Sequence, residues 1–289
     1  MYSADFDYHR ARSIGDAQRL LADHPGAKLL AGGHSLIPLM KLRLAAPAAL
    51  IDIGRIAELR GITVDGTSLR VGALTTHGEI ARSDDVRRGA AALAEAAASV
   101  GDPAVRNRGT IGGNVAHADP ASDLPIVLVA LGAQLVVIGP QGERTVEADQ
   151  FFLGIMTTAL GDDEILAAVR VPIASQGQAS AYVKFSHPAS RYAVIGAAAV
   201  ATVADGQCQA VRVAVGGLTP YAQRAPSVEN AMAGQTLTDE TIAAAAARVS
   251  EDLTDVDGDL FASGEYRRAV APVYVERVLQ AALARTGHR

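Results

Sequence analysis

Arg108-Gly109-Thr110-Ile111-Gly112-Gly113-Asn114, running on through His117-Ala118-Asp119-Pro120 to Ser122-Asp123, is the stretch that decides the reading of this chain. It combines paired glycines with small hydroxyl and amide side chains, two acids and no large aromatic. Burial does not explain such a composition. Glycine costs backbone entropy and is useful where the backbone takes a positive φ or comes close to something else. Successive N–H groups in such a turn form a concavity that binds anions without a lysine. A second glycine segment, Ala31-Gly32-Gly33-His34-Ser35, stands much earlier. Two anion cradles in one chain suggest a diphosphate held between them. Tight turns alone would also use such residues, since glycine pairs are common turn punctuation.

The chain has 289 residues, enough for one large domain or two smaller ones. Hydrophobic residues make up 49% and aromatics only 4%, so the core is built from Ala, Val, Leu and Ile. No apolar run reaches the length of a membrane span. Met1-Tyr2-Ser3-Ala4-Asp5-Phe6-Asp7 has neither the basic start nor the apolar run of a signal peptide, so a cytoplasmic location is expected. The one cysteine, Cys208, cannot form an internal disulfide or ligate an iron–sulfur cluster alone. Net charge is −5 with both signs interspersed, which is no footprint for nucleic acid.

Ser13 reads as an N-cap with Asp16 three positions on, opening a helix over residues 14 to 23. Ala27 to Ala31 reads as a strand, the first glycine segment follows it, and Ser35 to Leu42 reads as a helix. That segment therefore sits between strand and helix, where helix N–H groups also face an anion. Residues 62 to 64 and 69 to 71 read as a hairpin closed by a type I′ turn at Asp65-Gly66. Helices are expected from Thr75 to Ala81, over 89 to 99 and over 124 to 131, and strands over 135 to 138 and 164 to 171. Residues 172 to 179 have linker composition. Beyond them, 181 to 185, 193 to 204 and 210 to 216 read as a three-stranded antiparallel meander. Helices over 227 to 232, 240 to 252 and 265 to 284 close the chain, with a kink expected at Pro272.

Several chemistries are excluded by spacing. Gly109-Thr110-Ile111-Gly112-Gly113 is not G-x-G-x-x-G, so a Rossmann site is not expected. No Walker A lysine follows either glycine segment, and no H-E-x-x-H or Cys/His metal spacing occurs. Ser35 and Ser122 lack a nucleophile elbow.

Ala31-Gly32-Gly33-His34-Ser35-Leu36 followed by Met40-Lys41-Leu42-Arg43 forms one half of a pattern. Val105-Arg106-Asn107-Arg108 before Thr110-Ile111-Gly112-Gly113-Asn114, and then Asp119-Pro120 and Ser122-Asp123-Leu124-Pro125, form the other. Together they resemble the FAD-binding medium subunits of the molybdenum hydroxylases, most of all the aerobic carbon monoxide dehydrogenase branch. The likeness covers nearly the whole chain, and a match to two motifs with their flanks is specific. It implies an α+β protein: a PCMH-type FAD-binding domain over 1–175, in two α+β subdomains of about 1–55 and 56–175. A smaller α+β domain over 176–289 would follow, with the three-stranded sheet and the C-terminal helices.

The resemblance also implies site residues. N–H groups of Gly32, Gly33, His34 and Ser35, within the Ala31 to Leu36 motif, would hold one phosphate of FAD. Thr110, Gly113 and Asn114, with Ile111 and Gly112 between them, would hold the other. Asp123 would bond a hydroxyl of the ribose or ribityl chain, or else serve as an N-cap. Lys184 would lie near the flavin edge, where a cation favours negative charge on the reduced ring. Tyr192 would gate the ring, and Leu166 would pack on it. Thr76 and His77 are weaker candidates. His34 stands where relatives of the same fold carry FAD covalently, but Met40-Lys41-Leu42-Arg43 matches the subunits that do not, so non-covalent FAD is expected.

No catalytic residue and no metal ligand is expected in this chain. The molybdenum cofactor and [2Fe–2S] clusters are expected on partners, a large and a small subunit, as a dimer of heterotrimers. The chain would take electrons from the [2Fe–2S] subunit and pass them to an external acceptor. A self-contained FAD oxidase or reductase of the same fold is the rival within enzymes, and needs a polar substrate pocket over the flavin. A non-catalytic interaction module is the other rival, and would show no flavin absorbance.

Overall fold

The computed structural model describes residues 2–287; Met1, His288 and Arg289, at the ends of the expected domains, lie outside the described residues. The chain opens with β1 (Asp7–Arg10), α1 (Ile14–Asp23), β2 (Lys28–Leu30), α2 (Leu36–Lys41) and β3 (Ala49–Asp52). These strands form a parallel sheet in the order β1-β3-β2. Ser13 caps α1 by accepting the Asp16 N–H at 3.1 Å. The Asp16 carboxylate reaches past the cap to the Arg12 N–H at 2.9 Å, so the capping box is displaced by one residue.

Next come β4 (Ile62–Asp65), β5 (Ser68–Gly72), α3 (His77–Arg82), α4 (Asp84–Gly89), α5 (Ala91–Ser99), α6 (Pro103–Arg106), α7 (Ile111–His117) and α8 (Asp123–Leu131). They are followed by β6 (Gln134–Gly139), β7 (Gly142–Glu147), α9 (Ala148–Phe151), β8 (Phe152–Gly154), β9 (Thr157–Thr158) and β10 (Ile165–Pro172). An antiparallel sheet in the order β4-β5-β10-β6-β7 carries this part. The turn between β4 and β5 differs from the expected type I′. Of its two central residues only Gly66 has a positive φ, +59°, which is the pattern of type II′.

The last part has β11 (Gln178–Ser186), β12 (Ala193–Ala204), β13 (Gln207–Gly216), β14 (Gln223–Arg224), α10 (Pro226–Met232), α11 (Asp239–Ala247), α12 (Val249–Asp252) and α13 (Gly264–Ala284). The expected three-strand meander has a fourth strand, β14, only two residues long and paired to β13. The helix expected over 240 to 252 is two helices, α11 and α12, and α13 continues through Pro272.

One helix ties these layers together. Every residue of α8 is buried, and it packs against β12, β13 and α5. A helix apolar on all sides has to be enclosed on all sides. Its first residue, Asp123, is the exception in polarity, and its surroundings matter for the site.

Candidate functional site: a cleft between two glycine segments

The two glycine segments meet. A Cβ on Gly32 would stand 2.2 Å from the carbonyl oxygen of Arg108 and 3.0 Å from the Cα of Gly109. Only a residue without a side chain permits that approach. Gly33 has φ +75°, which turns the chain from β2 into α2. Among the described residues, no acceptor takes the backbone N–H groups of Gly32, Gly33, His34 or Ser35. Four consecutive donors left open beside a helix start are an anion cradle.

The second segment is built differently. Read from the sequence as a loop, Thr110 to Asn114 is the start of α7, with Thr110 as its N-cap. The Ile111 N–H donates to Thr75 O at 3.0 Å and the Gly112 N–H to Ala73 O at 2.8 Å. The Gly113 N–H donates to Thr110 Oγ1 at 3.2 Å and the Asn114 N–H to Thr110 O at 3.0 Å. Two of these backbone donors hold the segment to the chain just after β5 and two close its own first turn onto Thr110. What it offers a ligand is side-chain chemistry. The Thr110 hydroxyl keeps its proton to donate, and the Asn114 amide uses its oxygen on the Ser122 hydroxyl at 2.7 Å, leaving its NH2 group.

Both segments line a cleft of about 1400 Å³. All of the residues singled out from the sequence line it except Thr76, Ile111 and Lys184. Ile111 is buried in the core beneath it. The cleft also has walls that no sequence signal marked: Leu21 and His24 to Leu30 on one side, and Met156 to Thr158 with Asp162 and Asp163 on the other. Leu21 lies on α1, Lys28 to Leu30 form β2 and Thr157 and Thr158 form β9, while the others lie in connections; none of them carries a ligand-binding pattern.

Asp123 and Lys184, expected at the ribose or ribityl chain and at the flavin edge, are brought together in the structure, with Asp123 lining the cleft. Both side chains are 6% exposed and they pair with each other at 2.9 Å. The Tyr182 hydroxyl donates to Asp123 Oδ1 at 2.5 Å, a contact absent from the sequence reading. Burial pushes the Asp123 carboxyl up, against the opposing pull of Lys184 and the Tyr182 hydroxyl. Asp123 is at the positive end of α8, where a carboxylate is favoured. Tyr192 is half-exposed at the cleft. Burial, then the charges of Asp119 and Asp123, hold its phenol above the ordinary value.

His77 is the other polar group enclosed here. Thr76 and Glu79 form a full capping box in front of α3, and the His77 N–H donates to Gly109 O at 3.0 Å. Its imidazole is buried with Nδ1 unpartnered. Burial, then the nearby His34 and Arg106, lower its pKa to about 4. It is a neutral ring packed under Gly109, where a Cβ would meet it at 2.9 Å.

Residues 4–174 match the model of the FAD binding domain in molybdopterin dehydrogenase, and residues 180–282 match the CO dehydrogenase flavoprotein C-terminal domain. The chain belongs to this family. It is 42% identical over 284 residues to the carbon monoxide dehydrogenase medium chain of Hydrogenophaga pseudoflava, covering 97% of this chain and 98% of that one. It is 38% identical to the 6-hydroxypseudooxynicotine dehydrogenase complex subunit alpha of Paenarthrobacter nicotinovorans, covering 99% and 97%. Among solved structures, the carbon monoxide dehydrogenase of Hydrogenophaga pseudoflava that lacks the Mo-pyranopterin moiety superposes with a TM-score of 0.95 over 99% of each chain, at 42% identity.

As a member of the molybdenum hydroxylase flavoprotein family, the chain is an FAD-binding oxidoreductase subunit, and its residues fit that cofactor. A dinucleotide needs a long cleft with an anion site part-way along it. The open N–H donors of residues 32 to 35 supply the anion site, and the close approach of Gly32 to Arg108 leaves its floor free of side chains. Among the described residues no helix is long and apolar enough to cross a membrane.

Proposed function

We propose that this chain is the electron-relay subunit of a molybdenum hydroxylase complex. It receives electrons from a small [2Fe–2S] subunit and passes them to an external acceptor, while substrate is oxidised at a large molybdenum-cofactor subunit. The assembly proposed is a dimer of heterotrimers. The single observation that carries the reading is the row of open N–H donors at Gly32 to Ser35, which line the same cleft as Thr110 and Asn114. The one cysteine, buried Cys208, supports the placing of iron–sulfur clusters on a partner.

FAD, when bound, supplies a carrier that takes electrons singly and releases them in pairs. The chain's own residues bind and orient it. The Gly32 to Ser35 N–H groups would hold one phosphate, and the Thr110 hydroxyl and the Asn114 amide would hold the other. Leu166 and Tyr192 would pack against the ring. Binding is non-covalent, with His34 free. Residues 1–175 form the cofactor domain and 176–289 the domain that closes it.

The test is purification of the tagged chain from its native host. A large molybdenum-containing subunit and a small [2Fe–2S] subunit in equal amounts are expected, with flavin released to the supernatant on acid precipitation. A stable, FAD-replete chain without either partner would overturn the assembly, and yellow colour in the pellet would overturn non-covalent binding.

A further inference from the structure

Lys184 has no donor left for a cofactor. Its ammonium carries three protons, and the structure uses all of them. Nζ donates to Ser99 O at 3.0 Å, to Asp123 Oδ2 at 3.0 Å and to Arg191 O at 2.8 Å. The first two partners lie at opposite helix ends. Ser99 closes α5, where the carbonyl dipole is negative, and Asp123 opens α8, where it is positive. This fixes the ammonium in place from below.

The third partner belongs to the loop between β11 and β12. The loop is closed on itself. The His187 N–H donates to Tyr192 O at 2.8 Å and the Arg191 N–H to His187 O at 2.9 Å. The His187 Nδ1 accepts the N–H groups of Ala189 and Ser190, both at 3.2 Å. Arg191 takes φ +62°, a left-handed conformation that non-glycine residues avoid unless something holds it. Among the described residues, the Lys184 bond is the one hydrogen bond from a side chain outside this loop to residues 187 to 192. Arg191 immediately precedes Tyr192.

We propose that Lys184 is a positioning residue: through the Arg191 carbonyl it locks the loop that places Tyr192 at the cleft, with Asp123 as its buried counter-charge. The cation thus serves the site at one remove. It sets where the tyrosine stands, and the tyrosine faces whatever fills the cleft.

The experiment compares Lys184→Met, Lys184→Arg and Tyr182→Phe in the full chain. Tyr182→Phe weakens the Asp123 cluster without touching the loop, so it reports a merely structural role. Trypsin cleaves after arginine, and Arg191 is exposed. Cleavage at Arg191 should rise at least tenfold in Lys184→Met, with cleavage at exposed Arg88 unchanged, and should stay at the parent rate in Tyr182→Phe. Lys184→Arg keeps the charge but its flat fork does not match three diverging acceptors, so an intermediate rate is expected; it also serves if the methionine variant does not fold. Unchanged cleavage at Arg191 in both lysine variants, or an equal rise in Tyr182→Phe, would overturn the proposal. A second arm rests on the FAD reading. Iodide quenching of bound flavin should increase in Lys184→Met and in Tyr192→Ala, and no further in the double variant; additive increases would overturn the link. Absence of flavin from the parent protein would count against the FAD reading alone, and the cleavage comparison would still decide this one.

Discussion

Gly32 lies directly on the backbone of Arg108: a Cβ there would come within 2.2 Å of the Arg108 carbonyl oxygen. Neither atom belongs to a side chain that can swing away. Gly32→Ala therefore separates the two segments that flank the cleft. A loss of FAD affinity of at least about 100-fold, about 2.7 kcal/mol, is expected in a flavin-fluorescence titration. Gly15→Ala is the matched control, since nothing lies within 4 Å of a Cβ there. That change in α1 should leave binding intact and add roughly 0.5–1 kcal/mol of stability. Binding by Gly32→Ala within threefold of the parent would show that the contact is dispensable.

The Tyr182 hydroxyl reaches Asp123 only because residue 196 is glycine, where a Cβ would stand 2.9 Å from that oxygen. Tyr182→Phe keeps the ring and removes one of the bonds to a buried carboxylate. Stability should fall by about 1–3 kcal/mol, the cost of leaving such an acceptor short of a donor. Urea unfolding measures it. A change below about 0.5 kcal/mol would mean that Lys184 alone satisfies Asp123.

The parts legible in the sequence were those with local signals. Ser13 announces its helix, and it does cap it. The glycine pairs announced a close approach, and Gly32 makes one. Thr110 to Asn114 reads as a loop because glycine pairs are common turn punctuation. The helix forms regardless, since the Thr110 cap and the bonds to Ala73 O and Thr75 O hold its start in place. The resemblance names Lys184 and Asp123 singly, but their pairing is not legible in the sequence. The partners of Lys184 are 85, 61 and 7 residues away along the chain, and nothing in Val183-Lys184-Phe185 marks a lysine folded inward. Strand β14 is too short for alternation to register.

Asn114 separates two ways of holding a phosphate. Its amide oxygen is committed to Ser122, and only its NH2 group is free for a ligand. Asn114→Asp keeps the acceptor for Ser122 while replacing the donor with a negative charge. FAD should then bind roughly 10- to 100-fold more weakly, about 1.4–2.7 kcal/mol, with part of the loss recovered at high salt. Riboflavin, which has no phosphate, should be affected little by the same change. Equal weakening of both ligands would place Asn114 away from the diphosphate.

His77 makes the fold acid-sensitive in a defined window. Its folded-state pKa is about 4, against an ordinary 6.5, because burial and then the nearby His34 and Arg106 oppose a charge there. Between those values the unfolded chain binds a proton at residue 77 that the folded chain does not. Stability therefore rises with pH across the window, and its His77 component is lost as pH falls from 6.5 towards 4. A shift of that size is worth about 3 kcal/mol in full. Paired and capping carboxylates such as Asp16 and Glu164, whose pKa values are lowered, add a loss of the same sign at lower pH. The readout that isolates His77 is the difference between the parent and His77→Gln in urea unfolding from pH 7 to 4.5. The parent should lose roughly 2–3 kcal/mol more than the variant over that range. Parallel curves would show that the buried imidazole is already protonated, or that acid reaches it without unfolding the chain.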